Sequence, residues 1–367
     1  MPDDFEIFLA CPPGLEPMLR DEAREAGFAA PACTPGGVTL RGGWPEVWRA
    51  NLVLRGASRV LARIGEFRAM HLAQLDKRAR KIDWPAVLRR DMPVKVEATC
   101  RKSKIYHAKA ATQRVEGALE AAGIPLSPEA ALVLRVRIED DLCTFSVDTS
   151  GELLHKRGFK TGTGKAPMRE TLAALFLRSA GYDGRMPVVD PMCGSGTFVI
   201  EAAEMAMGLA PGRGRSFAFE RLASFDAEAW EALRAAQSSQ ATALTFHGSD
   251  RNEGAIANAR ENALRAGVED ITVFTHHAIS DLTPPDGPKG LVIANPPYGG
   301  RIGNKKLLYG LYGSFGTVLK ERFAGWRVGV VTSEAGLARA MGIKTDPGPV
   351  IDHGGIRVRL YQGRIVG

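Results

Sequence analysis

The sequence is poor in cysteine and in long apolar runs, and each shortage excludes a class of protein. Five cysteines occur among 367 residues, widely separated and without a C-x-x-C pair, so neither a disulfide framework nor a zinc site is expected. No stretch reaches the ~18 consecutive apolar residues that a membrane span requires. The acidic N-terminus lacks the basic region of a secretory signal. We therefore expect a cytoplasmic globular protein with reduced thiols, no bound metal and no membrane association.

The net charge of +7 is modest, but the charge is unevenly distributed. Residues 49–109 contain 16 basic and 5 acidic residues, and residues 301–367 contain 11 basic and 4 acidic residues. Basic zones attract polyanions, of which nucleic acid is the common one. The alternative is that these side chains form an ordinary solvated surface.

Hydrophobic periodicity predicts two regions that differ in how helices and strands follow one another. Up to residue 150, strands and helices follow one another as two small α+β units. Residues 151–165 are rich in glycine, threonine and lysine and are the best candidate for a linker. From residue 166 helices and strands alternate, which predicts a parallel, doubly wound sheet. A further helix is expected near 227–236, and a hairpin over 350–365 is expected to close the sheet edge.

A glycine-rich turn follows the first strand of the second region. The strand ends in Asp190, and the segment DPMCGSGT (190–197) leads into a helix. Gly194 and Gly196 allow the backbone to approach a ligand closely, so the turn fits a nucleotide-like cofactor. The segment lacks the lysine of a Walker A loop and the third glycine of a G-x-G-x-x-G motif. A purely structural turn is the alternative.

Asp250 ends the next predicted strand, within the segment GSDRN (248–252). An acidic residue at this place in a doubly wound fold typically binds ribose hydroxyls. We favour that role over the alternative, in which Asp250 is the N-cap of the following helix.

A third strand ends in the segment Asn295-Pro296-Pro297-Tyr298. Two successive prolines make the backbone rigid and remove two N–H donors. The acceptors that remain are the side-chain oxygen of Asn295 and the carbonyl of Pro296. An exocyclic amine has two hydrogens to donate to such a pair, and Tyr298 offers a flat ring for stacking.

These motifs, in this order, resemble those of class I S-adenosylmethionine-dependent amino-methyltransferases. The segments HKRGF (155–159), APMRETLAA (166–174), NPPYGGRIG (295–303) and KKLLYGLYGSFGTVLKERFAGW (305–326) narrow the resemblance to the THUMP-domain RNA methyltransferases that make N2-methylguanosine in ribosomal or transfer RNA. The resemblance covers nearly the whole chain and is strongest from 154 to 332. Bacterial 23S ribosomal RNA enzymes of this kind often carry a second methyltransferase half, and the resemblance is to a form without it.

The resemblance implies an α/β protein in which a Rossmann-like methyltransferase sheet follows an α+β region. The implied domains are a ferredoxin-like domain over 1–58, a THUMP RNA-binding domain over 59–150, a linker over 151–165 and a methyltransferase domain over 166–367. The implied cofactor is S-adenosylmethionine. The implied partner is RNA, with ribosomal RNA favoured over transfer RNA, and we expect a monomer.

The resemblance also implies a role for each matching residue. The cofactor would lie among Arg169, Glu170, Asp190, Pro191, Cys193, Gly194, Ser195, Gly196, Thr197, Asp250, Arg251, Asn252, His277 and Ala278. The target amine would be held by Asn295 and Pro296, with Pro297 stiffening the turn and Tyr298 stacking on the base. RNA would be gripped by Arg101, Lys102, Lys104, Tyr106 and Lys109. One departure is His276-His277, which stand where the family usually has an acidic contact to adenine.

Three other interpretations compete with the RNA methyltransferase. The NPPY segment also occurs in DNA N6-adenine methyltransferases and in protein glutamine methyltransferases. The THUMP-like N-terminal half argues for RNA over DNA, and the 16 basic residues between 49 and 109 argue against a glutamine methyltransferase. The third interpretation is an RNA-binding assembly factor with an inactive methyltransferase domain, and the intact motif residues speak against it.

Overall fold

The computed structural model describes residues 4–160, 168–299 and 305–366. The chain forms two compact units. The first comprises the described residues of Met1–Cys11, Leu19–Leu154 and Arg215–Ala236. The second comprises those of Pro12–Met18, His155–Gly214 and Gln237–Gly367.

The secondary structure follows the predicted alternation along the chain. Up to Asp148 the elements are β1 (Phe5–Ala10), α1 (Glu16–Glu25), β2 (Ala32–Thr34), β3 (Gly37–Gly42), α2 (Trp44–Val53), β4 (Arg59–Arg68), α3 (Leu72–Ala79), β5 (Val94–Arg101), α4 (Ala108–Ala121), β6 (Leu132–Glu139) and β7 (Leu142–Asp148). They are followed by α5 (Glu170–Ser179), β8 (Val188–Asp190), α6 (Thr197–Ala206), α7 (Ala227–Ala235), β9 (Phe246–Asp250), α8 (Glu253–Ala266), β10 (Thr272–His276), β11 (Leu291–Ala294), α9 (Lys305–Arg322), β12 (Arg327–Thr332), α10 (Ala335–Ala340), β13 (Asp346–Pro347), β14 (Ile351–His353) and β15 (Ile356–Arg364).

The first unit is built on one seven-stranded sheet in the order β2-β3-β1-β4-β7-β6-β5. The region predicted as two small α+β units shares this one sheet, because β4 pairs with β1 on one side and with β7 on the other. The strands alternate between buried and more exposed residues, so that one face of the sheet carries core residues such as Ile7, Val60 and Phe145. The short strand β2 was not predicted.

An insertion from the second half of the sequence packs into this first unit. Residues Arg215–Ala236 belong to it, although the sequence placed them in the methyltransferase domain. The helix predicted near 227–236 is present as α7. Phe219 is fully buried, with its ring centroid 4.9 Å from that of Trp230 and 6.1 Å from that of Trp48. A cluster of aromatic side chains therefore attaches the insertion to the rest of the first unit.

The second unit contains an eight-stranded, largely parallel sheet in the order β10-β9-β8-β11-β12-β15-β13, with β14 paired to β15. Strands β8 to β12 are parallel, as predicted, and β15 runs antiparallel to β12. The hairpin predicted over 350–365 is formed by β14 and β15. It does not close the sheet edge, because β13 lies outside β15.

The described part of the predicted linker, 151–160, contains several buried side chains. The boundary between the two units falls after Leu154, inside the predicted stretch. However, Leu154, Arg157 and Phe159 are buried. Residues 161–165 lie outside the described residues. None of the helices in the described part of the chain is long and apolar enough to span a membrane.

The aromatic cluster predicts a large stability effect at one position. We expect Phe219→Ala to lower the free energy of unfolding by about 3–5 kcal/mol, since truncating a buried phenylalanine leaves a cavity. The measurement is urea unfolding followed by tryptophan fluorescence, to which Trp48 and Trp230 contribute. The control Leu264→Ala, at a position that is 61% exposed, is expected to change stability by less than about 0.5 kcal/mol. Similar losses for both variants would contradict this assignment.

Candidate active site at the carboxyl edge of the parallel sheet

The strand order reverses between β8 and β11, which are neighbours in the sheet although β9 and β10 intervene in sequence. Ligands in open α/β sheets bind beyond the carboxyl ends of the strands at such a reversal. In the parallel register, Asp190 lies opposite Gly248, and His276 lies opposite Asp250. The structure therefore brings the three predicted motifs to one edge of the sheet.

The glycine turn after β8 is attached to the end of β9 through its backbone. The N–H of Cys193 donates to the carbonyl of Ser249 at 3.0 Å, and the N–H of Gly194 donates to Oδ2 of Asp250 at 3.0 Å. Gly194 has φ +52°, and among the described residues, apart from Gly194 and its two chain neighbours, no atom lies within 4 Å of the position that a Cβ would occupy there. This open space beside a polar turn fits a bound cofactor.

Asn262 on α8 supports the same turn from beneath and was not identified from the sequence. Its Nδ2 donates to the carbonyl of Ser195 at 3.1 Å, and its side chain is fully buried. Arg265 donates to Asn262 Oδ1 at 2.6 Å and to the carbonyl of Phe159 at 2.7 Å. In the sequence, the only sign of this role is that Asn262 is a polar residue on the side of α8 that faces the core.

Asp250 is not the N-cap of α8, so one alternative for its role is removed. That position belongs to Asn252, whose side chain accepts from the N–H of Ala255 at 3.2 Å. Asp250 accepts instead from the N–H of Asn252 at 2.9 Å, in addition to that of Gly194. Because each carboxylate oxygen can accept two hydrogen bonds, Asp250 retains capacity for ribose hydroxyls. The neighbouring Arg251 is exposed.

The residues after β10 lie beside Asp250. The N–H of His277 donates to the carbonyl of Asp250 at 3.3 Å, and its ring Nδ1 lies 2.9 Å from the carbonyl of Ala278. His277 is half-buried, and Ala278 is exposed. The histidine pair His276-His277, which replaces the acidic residue usual in the family, thus lies at the edge of the predicted cofactor site.

Asn295 carries a buried acceptor at the end of β11. Its Oδ1 is buried and has no hydrogen-bond partner among the described residues. A buried polar atom without a partner costs free energy, typically about 1–3 kcal/mol, and in a native structure it often marks a binding position. The carbonyl of Pro297 next to it accepts from the hydroxyl of Tyr312 on α9 at 3.4 Å. Tyr312, which the sequence analysis missed, is fully buried, and burial raises the pKa of its phenol.

Tyr298 is only 1% exposed in the structure. The predicted stacking of its ring on a base requires an accessible ring face, which the structure does not offer. In this conformation the ring of Tyr298 is buried, and the stacking role would require the ring or its neighbours to move.

Lys160 connects the start of α5 to the start of α6. Its ammonium lies 3.0 Å from Oε1 of Glu170 and donates to the hydroxyl of Thr197 at 2.7 Å. Glu170 is buried, and this burial raises the pKa of its carboxyl. Lys160 thus links Glu170 to Thr197 at the end of the glycine turn, whereas Arg169 is exposed. Lys160 was not among the predicted residues.

Asp190 is buried below the turn, where its Oδ1 accepts from the N–H of Met192 at 3.1 Å. Burial raises the pKa of Asp190 to about 8, and the negative charge of Asp250 acts in the same direction. Burial also raises the pKa of the Cys193 thiol. Both groups are therefore poor candidates for permanent charges at neutral pH. Pro191 at the start of the turn is buried as well.

The predicted RNA-binding residues lie in the first unit, at the end of β5 and the start of α4. Arg101, Lys102, Lys104, Tyr106 and Lys109 are all exposed. Tyr106 is 72% exposed, with its ring centroid 4.2 Å from that of His107. The N–H of Lys104 donates to Asp141 at 2.8 Å. Among the residues that the structure describes, no group of three His, Cys, Asp or Glu side chains is placed to hold a metal ion.

Comparison with known proteins decides the family. A profile described as "RMKL-like, methyltransferase domain" matches residues 157–347, more than half of the chain. The chain belongs to the RMKL-like methyltransferase family. Residues 6–61 match a second profile, the RlmL ferredoxin-like domain. The expected arrangement of a ferredoxin-like domain before an α/β methyltransferase domain is confirmed, while neither profile describes a THUMP domain.

Relatives of this RMKL-like methyltransferase include enzymes named for ribosomal RNA. The ribosomal RNA large subunit methyltransferase K/L of Marinobacter nauticus is 34% identical over 360 residues, which are 92% of this chain and 50% of the relative. The chain thus spans about half the length of the curated relatives that it matches.

Two solved structures are similar over almost their whole length. SMU.472, assigned as a methyltransferase and solved with SAH, has a TM-score of 0.88 at 28% identity, covering 100% of this chain and 99% of its own. A predicted N6-adenine-specific DNA methylase from Listeria monocytogenes has a TM-score of 0.87 at 29% identity, covering 99% and 96%.

The buried Asp190 predicts a pH-dependent stability. An unfolded aspartate has a pKa of about 3.9. Between about pH 4 and pH 8 the folded protein therefore keeps a proton that the unfolded chain has lost, so the free energy of unfolding falls as the pH rises through this interval. Asp190→Asn is neutral throughout, and we expect it to lessen this fall and to be the more stable protein at pH 8.

The measurement is urea unfolding at several pH values between 5 and 8. The control Asp286→Asn, at an exposed carboxyl, is expected to keep the pH dependence of the natural protein. If Asp190→Asn also kept it, the buried proton at this position would be ruled out.

Proposed function

We propose that the chain transfers a methyl group from S-adenosylmethionine to the exocyclic N2 amine of a guanosine in structured RNA, with ribosomal RNA as the favoured substrate. The observation that carries the proposal is the buried Oδ1 of Asn295 at the strand reversal, which has no partner among the described residues. The curated relatives named for ribosomal RNA and the neighbour solved with SAH support the substrate class and the cofactor.

The cofactor fits the residues present. The open space at Gly194 admits a ligand against the turn, and Asp250 retains acceptor capacity for ribose hydroxyls. We assign the methionine part to the turn around Cys193–Gly196, the ribose to Asp250 and the adenine to the region of His277 and Ala278. When bound, the sulfonium cofactor supplies an electrophilic methyl group.

The main contribution of the protein to this reaction is to orient the substrate amine, and acid–base catalysis is less important. The amine lone pair of guanine is delocalised into the ring. Asn295 Oδ1 and the carbonyl of Pro296 can accept hydrogen bonds from the two amine hydrogens. These bonds point the nitrogen lone pair towards the methyl group of the cofactor and stabilise the positive charge that develops on the nitrogen. The successive prolines hold both acceptors in place before the substrate binds, so positioning supplies most of the rate. The displaced proton leaves to water.

RNA binding is assigned to the first unit. Its exposed residues Arg101, Lys102, Lys104, Tyr106 and Lys109 combine cations with an aromatic ring, which suits contacts to phosphates and bases. We retain the THUMP assignment for residues 59–150 as part of this proposal. A target base within a helix must flip out to reach Asn295.

The decisive experiment combines purified protein, labelled S-adenosylmethionine and separate pools of ribosomal RNA, transfer RNA and DNA from a strain that lacks the gene. Digestion then identifies the labelled nucleoside. We expect N2-methylguanosine in ribosomal RNA. The second candidate, DNA N6-adenine methylation, is favoured by the neighbour from Listeria monocytogenes and would appear as N6-methyladenine in the DNA pool.

Asn295→Ala tests the amine-binding position. We expect kcat to fall by roughly 10²–10³-fold, because one of two acceptors for the target amine is removed. Affinity for S-adenosylhomocysteine, measured by calorimetry, should stay unchanged. The matched control Asn258→Ala, on α8, should retain full activity. A fall in cofactor affinity that accounts for the whole loss would remove Asn295 from the amine site.

Gly194→Ala tests the cofactor site. We expect affinity for S-adenosylhomocysteine to fall at least about tenfold, or ~1.4 kcal/mol, since the added methyl occupies the open space and strains a backbone with positive φ. Gly267→Ala is the matched control, with φ +71° and equally open surroundings at the C-cap of α8. It shares the backbone strain but should bind the ligand normally. Equal losses in both variants would attribute the effect to strain alone.

A further inference from the structure

An exposed aromatic side chain, Tyr309, stands near the start of α9 and has no role in the site described above. It is 43% exposed, whereas Tyr298 and Tyr312 are buried. Among the described residues, the other exposed aromatic side chain is Tyr106, which belongs to the first unit. A ring that is open to solvent offers a flat face on which another ring can stack.

Two contacts place Tyr309 beside the turn that follows β11. Tyr312 comes three positions later, so the two side chains are neighbours on α9, and the hydroxyl of Tyr312 donates to the carbonyl of Pro297 at 3.4 Å. The hydroxyl of Tyr309 itself lies against Gly336 in α10. Helix α10 begins three residues after the carboxyl end of β12, the strand that pairs with β11. Tyr309 therefore stands at the same sheet edge as Asn295.

The glycine at position 336 indicates that the ring of Tyr309 has a defined place. Gly336 lies within α10 and its φ is not positive, so the backbone does not require glycine there. Glycine also weakens a helix relative to alanine. A methyl group at this position would collide with the hydroxyl of Tyr309. The lack of a side chain at Gly336 thus makes room for the phenol, and packing against α10 preorganises the exposed ring.

Two lysines share this side of α9. Lys305 and Lys306 precede Tyr309 by four and three positions, which places the three exposed side chains on one face of the helix. The first turn of α9 contains no acidic residue. Because the helix dipole disfavours cations at a helix N-terminus, helix stability does not account for the two lysines. We call Lys305, Lys306 and Tyr309 the α9 platform.

We propose that the α9 platform binds the RNA nucleotide next to the target, with its base stacked on Tyr309 and its phosphate near Lys305 and Lys306. This inference rests on the proposed function for its choice of RNA. Cations beside an aromatic ring complement the charge and the flat bases of a single strand. When the target base flips out, its neighbour loses a stacking partner, and the ring of Tyr309 replaces that partner. Since every base has a flat face, the platform does not select the neighbouring base.

The test measures binding of a fluorescent single-stranded RNA of about 12 nucleotides with one central guanosine, by anisotropy in the presence of S-adenosylhomocysteine. We expect Tyr309→Ala to weaken binding roughly tenfold, which is in the range for removal of one stacking ring. Tyr309→Trp keeps a flat ring and should stay within about twofold of the natural protein. A loss that tryptophan does not restore would overturn the stacking role.

The matched control is Leu307→Ala. Leu307 is 64% exposed in the same turn of α9, but a side chain two positions from Tyr309 points to a different side of the helix. We expect this variant to change affinity by less than about twofold, since no stacking ring is removed. Equal losses for Leu307→Ala and Tyr309→Ala would attribute the effect to apolar surface in general and overturn the proposal.

Gly336→Ala tests the position of the ring without removing it. The added methyl displaces the phenol, so we expect affinity for the single strand to fall at least about threefold. Tyr309→Phe removes the hydroxyl that the methyl meets, and the double variant Gly336→Ala/Tyr309→Phe should recover the lost affinity. Unchanged binding by Gly336→Ala would contradict the preorganised ring.

Two further nucleic acids identify the partner. An RNA duplex of the same sequence keeps its bases stacked on one another, so its binding should be insensitive to Tyr309→Ala. An equal loss with the duplex, or a loss confined to a single-stranded DNA of the same sequence, would overturn the assignment. Because the binding assay involves no methyl transfer, a labelled nucleoside other than N2-methylguanosine would contradict the proposed function separately from the platform.

Discussion

The candidate active site depends on the attachment of the glycine turn to the neighbouring strand. Two backbone N–H groups of the turn, at Cys193 and Gly194, donate to Ser249 and Asp250 at the end of β9. Asp250 also accepts a hydrogen bond from the N–H of Asn252, and Asn252 is the N-cap residue of α8. One carboxylate thereby positions the turn after β8 and the start of the next helix. Any ligand at this edge meets a surface whose polar groups already have defined directions.

Asn295 contrasts with this satisfied arrangement. Its buried oxygen lacks a partner among the described residues, while the rigid proline pair next to it is supported by Tyr312. Folding into this conformation leaves a desolvated acceptor, which is unfavourable unless a donor is supplied from outside. In the proposed reaction the amine of a substrate would supply that donor, and the strand β11, whose residues are all buried, ends directly before Asn295.

The two units are interleaved in the sequence. Residues 215–236 leave the second unit, pack their aromatic cluster in the first and return. The first unit itself is one continuous sheet, because β4 pairs with strands on both of its sides. Strand pairing brings an arginine of the basic zone at 49–109 together with one from β6, since Arg59 and Arg135 both pair with Asp148.

The sequence by itself determined most of the local elements and which residue types stand at the candidate site. Periodicity located most helices and strands, and the motifs at Asp190, Asp250 and Asn295 each ended a predicted strand, so a parallel sheet had to bring them to the same edge. Tertiary structure decided what depends on residues distant in sequence. Lys160, Asn262 and Tyr312 act through hydrogen bonds to partners 15 to 67 positions away, which no local pattern reveals. The burial of Tyr298, the single seven-stranded sheet and the transfer of residues 215–236 likewise follow from packing, because burial and strand pairing are properties of the assembled chain.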